Sequence, residues 1–180
     1  YLNVSEAIKH SCNYFFYELG YRMGIDTLSK YASYFGLGRK TGIELQGEAV
    51  GDLATREKVE KQNKEWYLAD TLSAAIGQSY NNFTPVQMAK YISMLVNGGN
   101  PIDVSIVKNI INIDGQEVSK QEINEFVNKK LNLQDEKVEN LNMKKENIKA
   151  VLEGMRGVTS ESGGTAYSTF KNFEIEVGGK

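Results

Sequence analysis

Apolar residues at helical spacing predict a helix over residues 4–23, interrupted near Ser11. Asn3 or Ser5 can cap its first turn, because a side-chain oxygen at that place accepts a hydrogen bond from a free backbone amide. The short polar side chains of residues 11–13 compete for nearby backbone groups and so lower helix propensity. A break or tight turn there would point polar side chains outward.

Three later stretches have the same periodicity and predict three more helices. The first, residues 25–35, is followed by glycines of the kind that end helices. The second begins after Thr84, which precedes a proline at the first helical position, and its apolar face extends to Val96. The third is centred on residues 148–155, where apolar side chains recur three and four positions apart.

Predicted strands lie between and after these helices. Residues 104–113 are rich in Ile and Val, an Asp-Gly pair follows as a hairpin turn signal, and residues 116–118 supply a second short strand. Residues 173–177 alternate between apolar and polar side chains, as a half-buried strand does. The order of these elements predicts an α+β fold in which helices pack on an antiparallel sheet.

Two charged stretches are predicted to lie outside the core. Residues 56–65 show no apolar face, so we expect a surface loop there. Residues 120–145 are polar, with apolar residues too irregularly placed to define an element, and we expect an exposed, poorly packed segment.

Composition narrows the class of protein. The chain has 180 residues, 41% hydrophobic and 24% charged, which is enough for one domain or most of one. Its net charge of -2, with both signs interleaved, provides no basic surface for nucleic acid. No apolar stretch approaches the roughly 20 residues that cross a bilayer. Cys12 is the one cysteine, which excludes an internal disulfide, and with His10 it supplies at most two ligands of a closed zinc site.

The chemistry of serine enzymes identifies candidate catalytic residues. Acyl transfer by such an enzyme needs a nucleophile, a base and a proton donor for the leaving group. The single histidine, His10, has no acid that spacing would place beside it, so a Ser-His-Asp triad is not predicted. The serine and lysine solution has the marks Ser-x-x-Lys, Ser-x-Asn and Lys-Thr-Gly, in that order. Ser11-Cys12-Asn13 fits the second mark, and Lys180 follows a predicted strand and two glycines, as the lysine of the third mark would.

Further segments, in order along the chain, resemble the class B penicillin-binding proteins, which are single-function transpeptidases. The stretch from Ser11 to Gly20 resembles the family's Ser-x-Asn helix. The other matching segments are Phe35-Gly36-Leu37-Gly38, Thr41-Gly42-Ile43, Trp66, Ala75-Ile76-Gly77-Gln78, Thr84-Pro85-Val86-Gln87-Met88-Ala89, Asn97-Gly98-Gly99 and Gly163-Gly164-Thr165-Ala166. Residues 1–180 are therefore expected to be part of one penicillin-binding transpeptidase domain, from just before Ser-x-Asn to the lysine of Lys-Thr-Gly.

The resemblance implies both a fold and an activity. The fold is the serine transpeptidase and β-lactamase type, an antiparallel sheet packed between helices, incomplete in this chain. The activity is peptidoglycan D,D-transpeptidation, an acyl transfer from D-Ala-D-Ala stem peptides through a serine acyl-enzyme that β-lactams trap. Ser11 would relay a proton to the leaving amine, Asn13 would bind substrate through its amide, and Lys180 would bind substrate and supply positive charge. No cofactor or metal is implied.

The nucleophile is expected outside these residues, because the family's Ser-x-x-Lys lies upstream of Ser-x-Asn and only ten residues precede Ser11. Two bare matches to that pattern come later, in the wrong order. Ser105 and Lys108 fall in a predicted strand, which would place them on opposite faces, and Ser168 and Lys171 fall in a predicted loop. The chain alone is thus predicted to be inactive.

Two other classes of function remain open. A non-catalytic penicillin-binding sensor or scaffold would keep the fold without turnover, and a helical interaction module would have no paired strands. Under the family interpretation the partners are peptidoglycan stem peptides, β-lactam antibiotics and other cell-wall synthesis proteins. The parent protein would lie on the extracytoplasmic face of the cell membrane, anchored by a segment absent from these residues.

Overall fold

The computed structural model describes residues 2–131 and 140–180, and its regular structure there is helical. Within these residues the helices are α1 (Val4–Lys9), α2 (Asn13–Tyr34), α3 (Arg56–Glu60), α4 (Leu68–Ala75), α5 (Pro85–Val96), α6 (Lys120–Leu131), α7 (Lys145–Ser160) and α8 (Tyr167–Phe170). α2 packs against α4, while α7 contacts α1, α5 and α8. α7 is therefore the helix that holds both ends of the described chain together.

The predicted helix break near Ser11 is confirmed. α1 begins in a capping box, because the Asn3 side chain accepts from the Glu6 amide at 2.9 Å and the Glu6 carboxylate accepts from the Asn3 amide at 3.2 Å. α2 starts after the break and continues through the predicted helix of residues 25–35. A kink at Gly24, whose φ is 73°, separates its two halves.

The predicted helices at α5 and α7 are also confirmed. Thr84 Oγ1 accepts from the Gln87 amide at 3.2 Å, and Gln87 Oε1 accepts from the Thr84 amide at 2.9 Å. Pro85 takes the first helical position, where a missing N–H breaks no intrahelical bond. α7 includes the predicted residues 148–155 and extends beyond them at both ends.

The surface loop predicted for residues 56–65 is wrong in its first half, which forms α3. Thr55 caps this helix by accepting from the Lys58 amide at 3.2 Å. Val59 is 1% exposed, so it anchors the charged turn to the core. One cap and one buried apolar side chain therefore stabilise this short helix, which the charged sequence did not predict.

The exposed, irregular segment predicted for residues 120–145 is wrong for the part that forms α6. Ser119 Oγ accepts from the Glu122 amide at 3.2 Å at the start of this helix, and Ile123 is 8% exposed. Most other side chains of α6 are exposed, as the polar composition indicates. Residues 132–139 of the same prediction lie outside the described residues.

α4 is a helix that the sequence pattern did not predict. The Tyr67 amide donates to the Asp70 carboxylate at 2.9 Å at its first turn. Thr71 is 3% exposed and accepts a hydrogen bond from Trp66 Nε1 at 2.9 Å. The helix lies against α2 at Gly20, so tertiary contact rather than local signal fixes it.

The predicted antiparallel sheet is not confirmed by the part of the chain that the structure describes. The Asp-Gly turn is present, and backbone hydrogen bonds of 2.9 and 2.8 Å close it. Among the described residues, Ile111 and Glu117 pair across this turn as an isolated bridge, and residues 173–177 form no strand. A hairpin with no further strand or helix packed on it is only marginally stable. The helices of the α+β prediction are thus observed, and its sheet stays a prediction.

α1 and α7 approach closely at Gly154. A Cβ atom at this residue would lie 2.8 Å from Ile8 Cβ and 2.8 Å from the Ser5 carbonyl oxygen, both closer than van der Waals contact. Ser5 Oγ also donates to Ala150 O of α7 at 2.7 Å. Packing against α7 therefore fixes the position of α1.

Replacing Gln87 with glutamate is expected to destabilise the protein by about 3 kcal/mol at neutral pH. Gln87 is 1% exposed, and its Nε2 donates to Arg39 O at 2.6 Å and Val50 O at 2.7 Å. A carboxylate cannot donate, so both buried carbonyls would lose their partner and face a negative charge.

Urea unfolding of the Gln87→Glu variant measures this loss, with the exposed Gln78→Glu as the matched control. Acidification protonates the new carboxyl and restores one donor, so the loss should shrink at low pH. Equal unfolding free energies for both variants at neutral pH would contradict the buried network.

Candidate active site

α1 ends in a tight turn, here called the Ser11 turn (residues 10–12), which holds Ser11 in the left-handed region at φ 52°. The Ser11 amide donates to Ile8 O at 3.1 Å and the Cys12 amide donates to Ala7 O at 2.9 Å, the pattern of a Schellman motif. Glycine usually occupies the left-handed position, where another residue costs roughly 1 kcal/mol. The turn therefore keeps a hydroxyl side chain where the backbone would favour glycine.

Residues 177–180 lie along α7, the helix that also holds α1. Thr159 Oγ1 donates to the carbonyl oxygen of Val177, and the Gly179 amide donates to Met155 O at 2.9 Å. Thr159 and Met155 both belong to α7. The chain end is thus fixed on the same scaffold as the Ser11 turn.

The structure brings two of the predicted site residues into contact, although 169 positions separate them. Lys180 Nζ donates a hydrogen bond to Ser11 Oγ at 2.6 Å. Because an ammonium group only donates, the serine oxygen is the acceptor, and its own O–H stays available to another group. The pair therefore offers the hydroxyl proton of Ser11 beside the positive charge of Lys180.

Asn13, the third predicted site residue, is the first residue of α2 and follows Ser11 by two positions. Its side chain is exposed, and it makes no hydrogen bond to any other residue in the described ranges. An amide both donates and accepts, so it can bind a group that comes from outside these residues. The structure does not join it to Lys180.

Two neighbours of Ser11 connect its turn to the loop after α7, here called the glycine loop (residues 161–166). His10 Nδ1 lies 3.0 Å from Gly163 O, and Lys9 Nζ forms an ion pair with Glu161 at 2.7 Å. The hydrogen bond and charge of Lys9 lower the pKa of the Glu161 carboxyl. Sequence spacing gives no sign of these contacts, and the glycine pair is the one feature that marks the loop.

The two later Ser-x-x-Lys matches do not form a serine and lysine pair. Ser105 Oγ hydrogen-bonds to the Glu44 carboxylate rather than to Lys108. Ser168 lies in the short helix α8, so the loop predicted there is wrong. Lys171 directly follows this helix, and within the described structure no hydrogen bond joins it to Ser168.

The region around the Ser11 turn offers a hydroxyl, an amide and an ammonium group. These groups suit proton transfer and the binding of a carbonyl or carboxylate. Residues 2–131 and 140–180 contain no cluster of three or more His, Cys, Asp or Glu side chains that could hold a metal ion. Over the same ranges, no helix combines the length and apolar character of a membrane span.

Comparisons with known proteins find one family model that matches the whole chain, and relatives that match parts of it. The family model of the penicillin binding protein transpeptidase domain matches residues 1–180. Peptidoglycan D,D-transpeptidase MrdA of Escherichia coli K12 is 44% identical over 99 residues, or 54% of this chain. The crystal structure of Pseudomonas aeruginosa PBP2 in complex with WCK 5153 matches 95% of the chain with a TM-score of 0.76 and 29% identity. PBP2 of Helicobacter pylori in complex with MreC matches 97% with a TM-score of 0.71 and 26% identity.

The chain covers only part of each of these proteins. It spans 16% of Escherichia coli MrdA, 36% of the Pseudomonas aeruginosa chain and 29% of the Helicobacter pylori chain. Within that part, its helices have the arrangement found in a penicillin-binding transpeptidase domain.

Proposed function

The chain belongs to the penicillin-binding protein transpeptidase family, and from this premise we propose that it is part of the catalytic domain of a peptidoglycan D,D-transpeptidase. One observation carries the proposal, the hydrogen bond from Lys180 Nζ to Ser11 Oγ at 2.6 Å. It joins the serine of Ser-x-Asn to the lysine that we propose as the first residue of Lys-Thr-Gly. In this proposal residues 1–180 run from just before Ser-x-Asn to the lysine of Lys-Thr-Gly.

The proposed reaction exchanges one peptide bond for another. A serine from a Ser-x-x-Lys segment outside these residues attacks the carbonyl carbon between the two D-alanines of a stem peptide, and the lysine of that segment removes its proton. The C–N bond breaks, D-alanine leaves as an amine that takes up a proton, and the stem peptide stays as an ester on the serine. An amine of a second stem peptide then attacks the ester, which forms the cross-link and regenerates the serine.

Ser11 has the proposed role of delivering the proton to the leaving amine. Its oxygen accepts from Lys180, so its O–H can point at the leaving nitrogen. The ammonium stabilises the negative charge that develops on the serine oxygen as the proton departs. A proton from the upstream lysine replaces the one that Ser11 gives away, which makes the hydroxyl a relay.

The proposed contacts to the donor stem peptide come from Asn13 and Lys180. The exposed amide of Asn13 can donate to a peptide carbonyl and accept from the upstream lysine. An ammonium has three donors, and Ser11 uses one of those of Lys180. The remaining donors can bind the carboxylate at the end of the D-Ala-D-Ala substrate.

These residues alone are proposed to be inactive, since residues 1–10 contain no Ser-x-x-Lys. In the complete protein a β-lactam would acylate the upstream serine and stop at the ester. A sensor or scaffold would keep the Ser11 and Lys180 pair but would not form cross-links.

Location and partners follow from the proposed substrate. Stem peptides lie outside the cytoplasmic membrane, so we place the protein on its extracytoplasmic face, anchored by a segment outside these residues. The Helicobacter pylori relative was solved in complex with MreC, and another cell-wall synthesis protein is a proposed partner here too. The proposed chemistry uses side chains alone, without a cofactor or nucleic acid.

Release of D-alanine from a pentapeptide donor tests the proposal in the complete protein. Lys180→Met should lower the rate at least about 100-fold, because the ammonium that orients Ser11 is lost. Lys171→Met, which removes the lysine of a Ser-x-x-Lys match, is the matched control and should stay within about twofold. Covalent penicillin binding without D-alanine release by the unmodified protein would instead establish the sensor.

A further inference from the structure

The imidazole of His10 contacts the glycine loop at Gly163. His10 Nδ1 lies 3.0 Å from Gly163 O, and because a carbonyl oxygen only accepts, Nδ1 must carry a proton. A Cβ atom at Gly163 would lie 3.1 Å from His10 Cε1, so the ring also packs on this residue. With φ at 84°, Gly163 adopts a backbone conformation that glycine allows, and this conformation directs its carbonyl toward the ring.

The glycine loop is itself fixed on α7. The Ala166 amide donates to Val158 O of α7 at 3.0 Å, and within the loop the Gly164 amide donates to Glu161 O at 2.9 Å. Gly164 lies so close to the backbone of α7 that a side chain there would overlap it. A bond from His10 to this loop therefore helps to fix the next residue, Ser11, relative to α7.

The hydrogen bonds that Val177 and Gly179 make to α7 fix the position of Lys180 relative to the same helix. The distance between Lys180 Nζ and Ser11 Oγ thus depends on attachments to α7 on both sides: on the serine side these are the packing of α1 on α7 and the bond from His10 to the glycine loop. On the serine side the backbone has a sparsely populated conformation, and such a conformation persists only where its surroundings hold it.

We propose that His10 is a positioning residue for transpeptidation, whose Nδ1–H bond to Gly163 O holds the Ser11 hydroxyl against Lys180. This inference rests on the function proposed above. His10 touches neither substrate nor reacting atoms in this account and acts only through Ser11. The bond is exposed to solvent, so its contribution to folding is small, and its loss should affect the reaction rate more than stability.

The ion pair of Lys9 and Glu161 offers a comparison, because it joins the same two segments. The Glu161 side chain is 57% exposed and that of Lys9 18%, and a pair with a solvated carboxylate contributes little energy and little directional restraint. Removing the pair with Glu161→Gln should leave the reaction rate within about twofold. If every contact between these two segments supported the rate, Glu161→Gln would lower it as much as a change at His10 does.

The test compares two amides at position 10 in the complete protein. The amide nitrogen of His10→Asn can take the place of Nδ1, while that of His10→Gln lies one carbon further out, near the place of Nε2. The rate constant of acylation by a fluorescent penicillin should stay within about twofold for His10→Asn and fall about tenfold for His10→Gln and His10→Ala. Melting temperatures of all three should agree with the unmodified protein within about 3 °C.

A double-mutant cycle separates positioning from a general structural role. When Ser11→Ala has already removed the hydroxyl, His10→Ala should cost no further acylation, because the two residues act as a unit. Additive losses, or equal rates for the Asn and Gln variants, would overturn the proposal. Loss of acylation together with stability in both amide variants would also overturn it, since His10 would then be structural. No acylation of the unmodified protein would contradict the proposed function itself.

Discussion

Replacing Ser11 with glycine in the complete protein is expected to lower the rate of D-alanine release at least about 100-fold while the fold stays intact. The hydroxyl that would carry the proton is lost, and Lys180 loses its acceptor. The backbone at φ 52° suits glycine better than serine, so the free energy of unfolding should stay equal or rise by up to about 1 kcal/mol. D-alanine release and urea unfolding of one preparation measure both effects.

Ser11→Ala is the matched control for this prediction. It removes the same hydroxyl but keeps a Cβ atom in the left-handed conformation, so it should be equally inactive and about 1 kcal/mol less stable than the glycine variant. If the glycine variant retained more than about a tenth of the activity, Ser11 would not be the proton donor. An alanine variant as stable as the glycine variant would contradict the strained turn.

Alanine at Gly164 is expected to destabilise the protein by about 3 kcal/mol. A Cβ atom there would overlap the carbonyl oxygen of Gly157 and lie 2.5 Å from that of Val158. Both are backbone atoms of α7 and cannot rotate away, so the glycine loop itself would have to move. That movement would also withdraw Gly163 O from His10, and acylation by penicillin should fall with stability.

Gly178→Ala provides the control, since this glycine also lies against α7 but with room for a side chain. The nearest atom to a Cβ there is Met155 Cβ at 3.5 Å, an ordinary van der Waals contact. Its unfolding free energy should change by less than about 1 kcal/mol. Similar losses in the Gly164 and Gly178 variants, measured by urea unfolding, would show that the glycine loop is not packed on α7 as described.

Helices whose ends are set by neighbouring residues could be predicted from the sequence. The cap at Asn3, the polar break at residues 11–13 and the Thr84 cap before a proline all act within one turn. Such signals need no knowledge of the rest of the fold. The predictions for α1 and α5 were therefore close to the structure, whereas α7 has no side-chain cap and only its centre was predicted.

Elements held by distant contacts could not be predicted in the same way. A single buried side chain, Val59, anchors α3, and α4 is held through Thr71 and its contact with α2 at Gly20. The predicted strand over residues 173–177 depends likewise on a neighbour, because a strand needs a second strand for its hydrogen bonds. Periodicity within one segment carries no information about which partner that segment will meet.

The candidate site shows the same division. Ser11 and Asn13 could be recognised together because two positions separate them, and the family resemblance was needed to associate Lys180 with them. The contact between His10 and Gly163 left no trace in the sequence, because the direction of a carbonyl depends on the path of its loop.

Intact mass after incubation with a penicillin shows whether the nucleophile lies outside the 180 residues, when these residues alone and the complete protein are measured in parallel. We expect one adduct on the complete protein, in a peptide upstream of Ser11, and none on the 180 residues. An adduct on the 180 residues would contradict this and return attention to Ser105 and Ser168. No adduct on either would contradict the proposed acyl-enzyme and favour a scaffold.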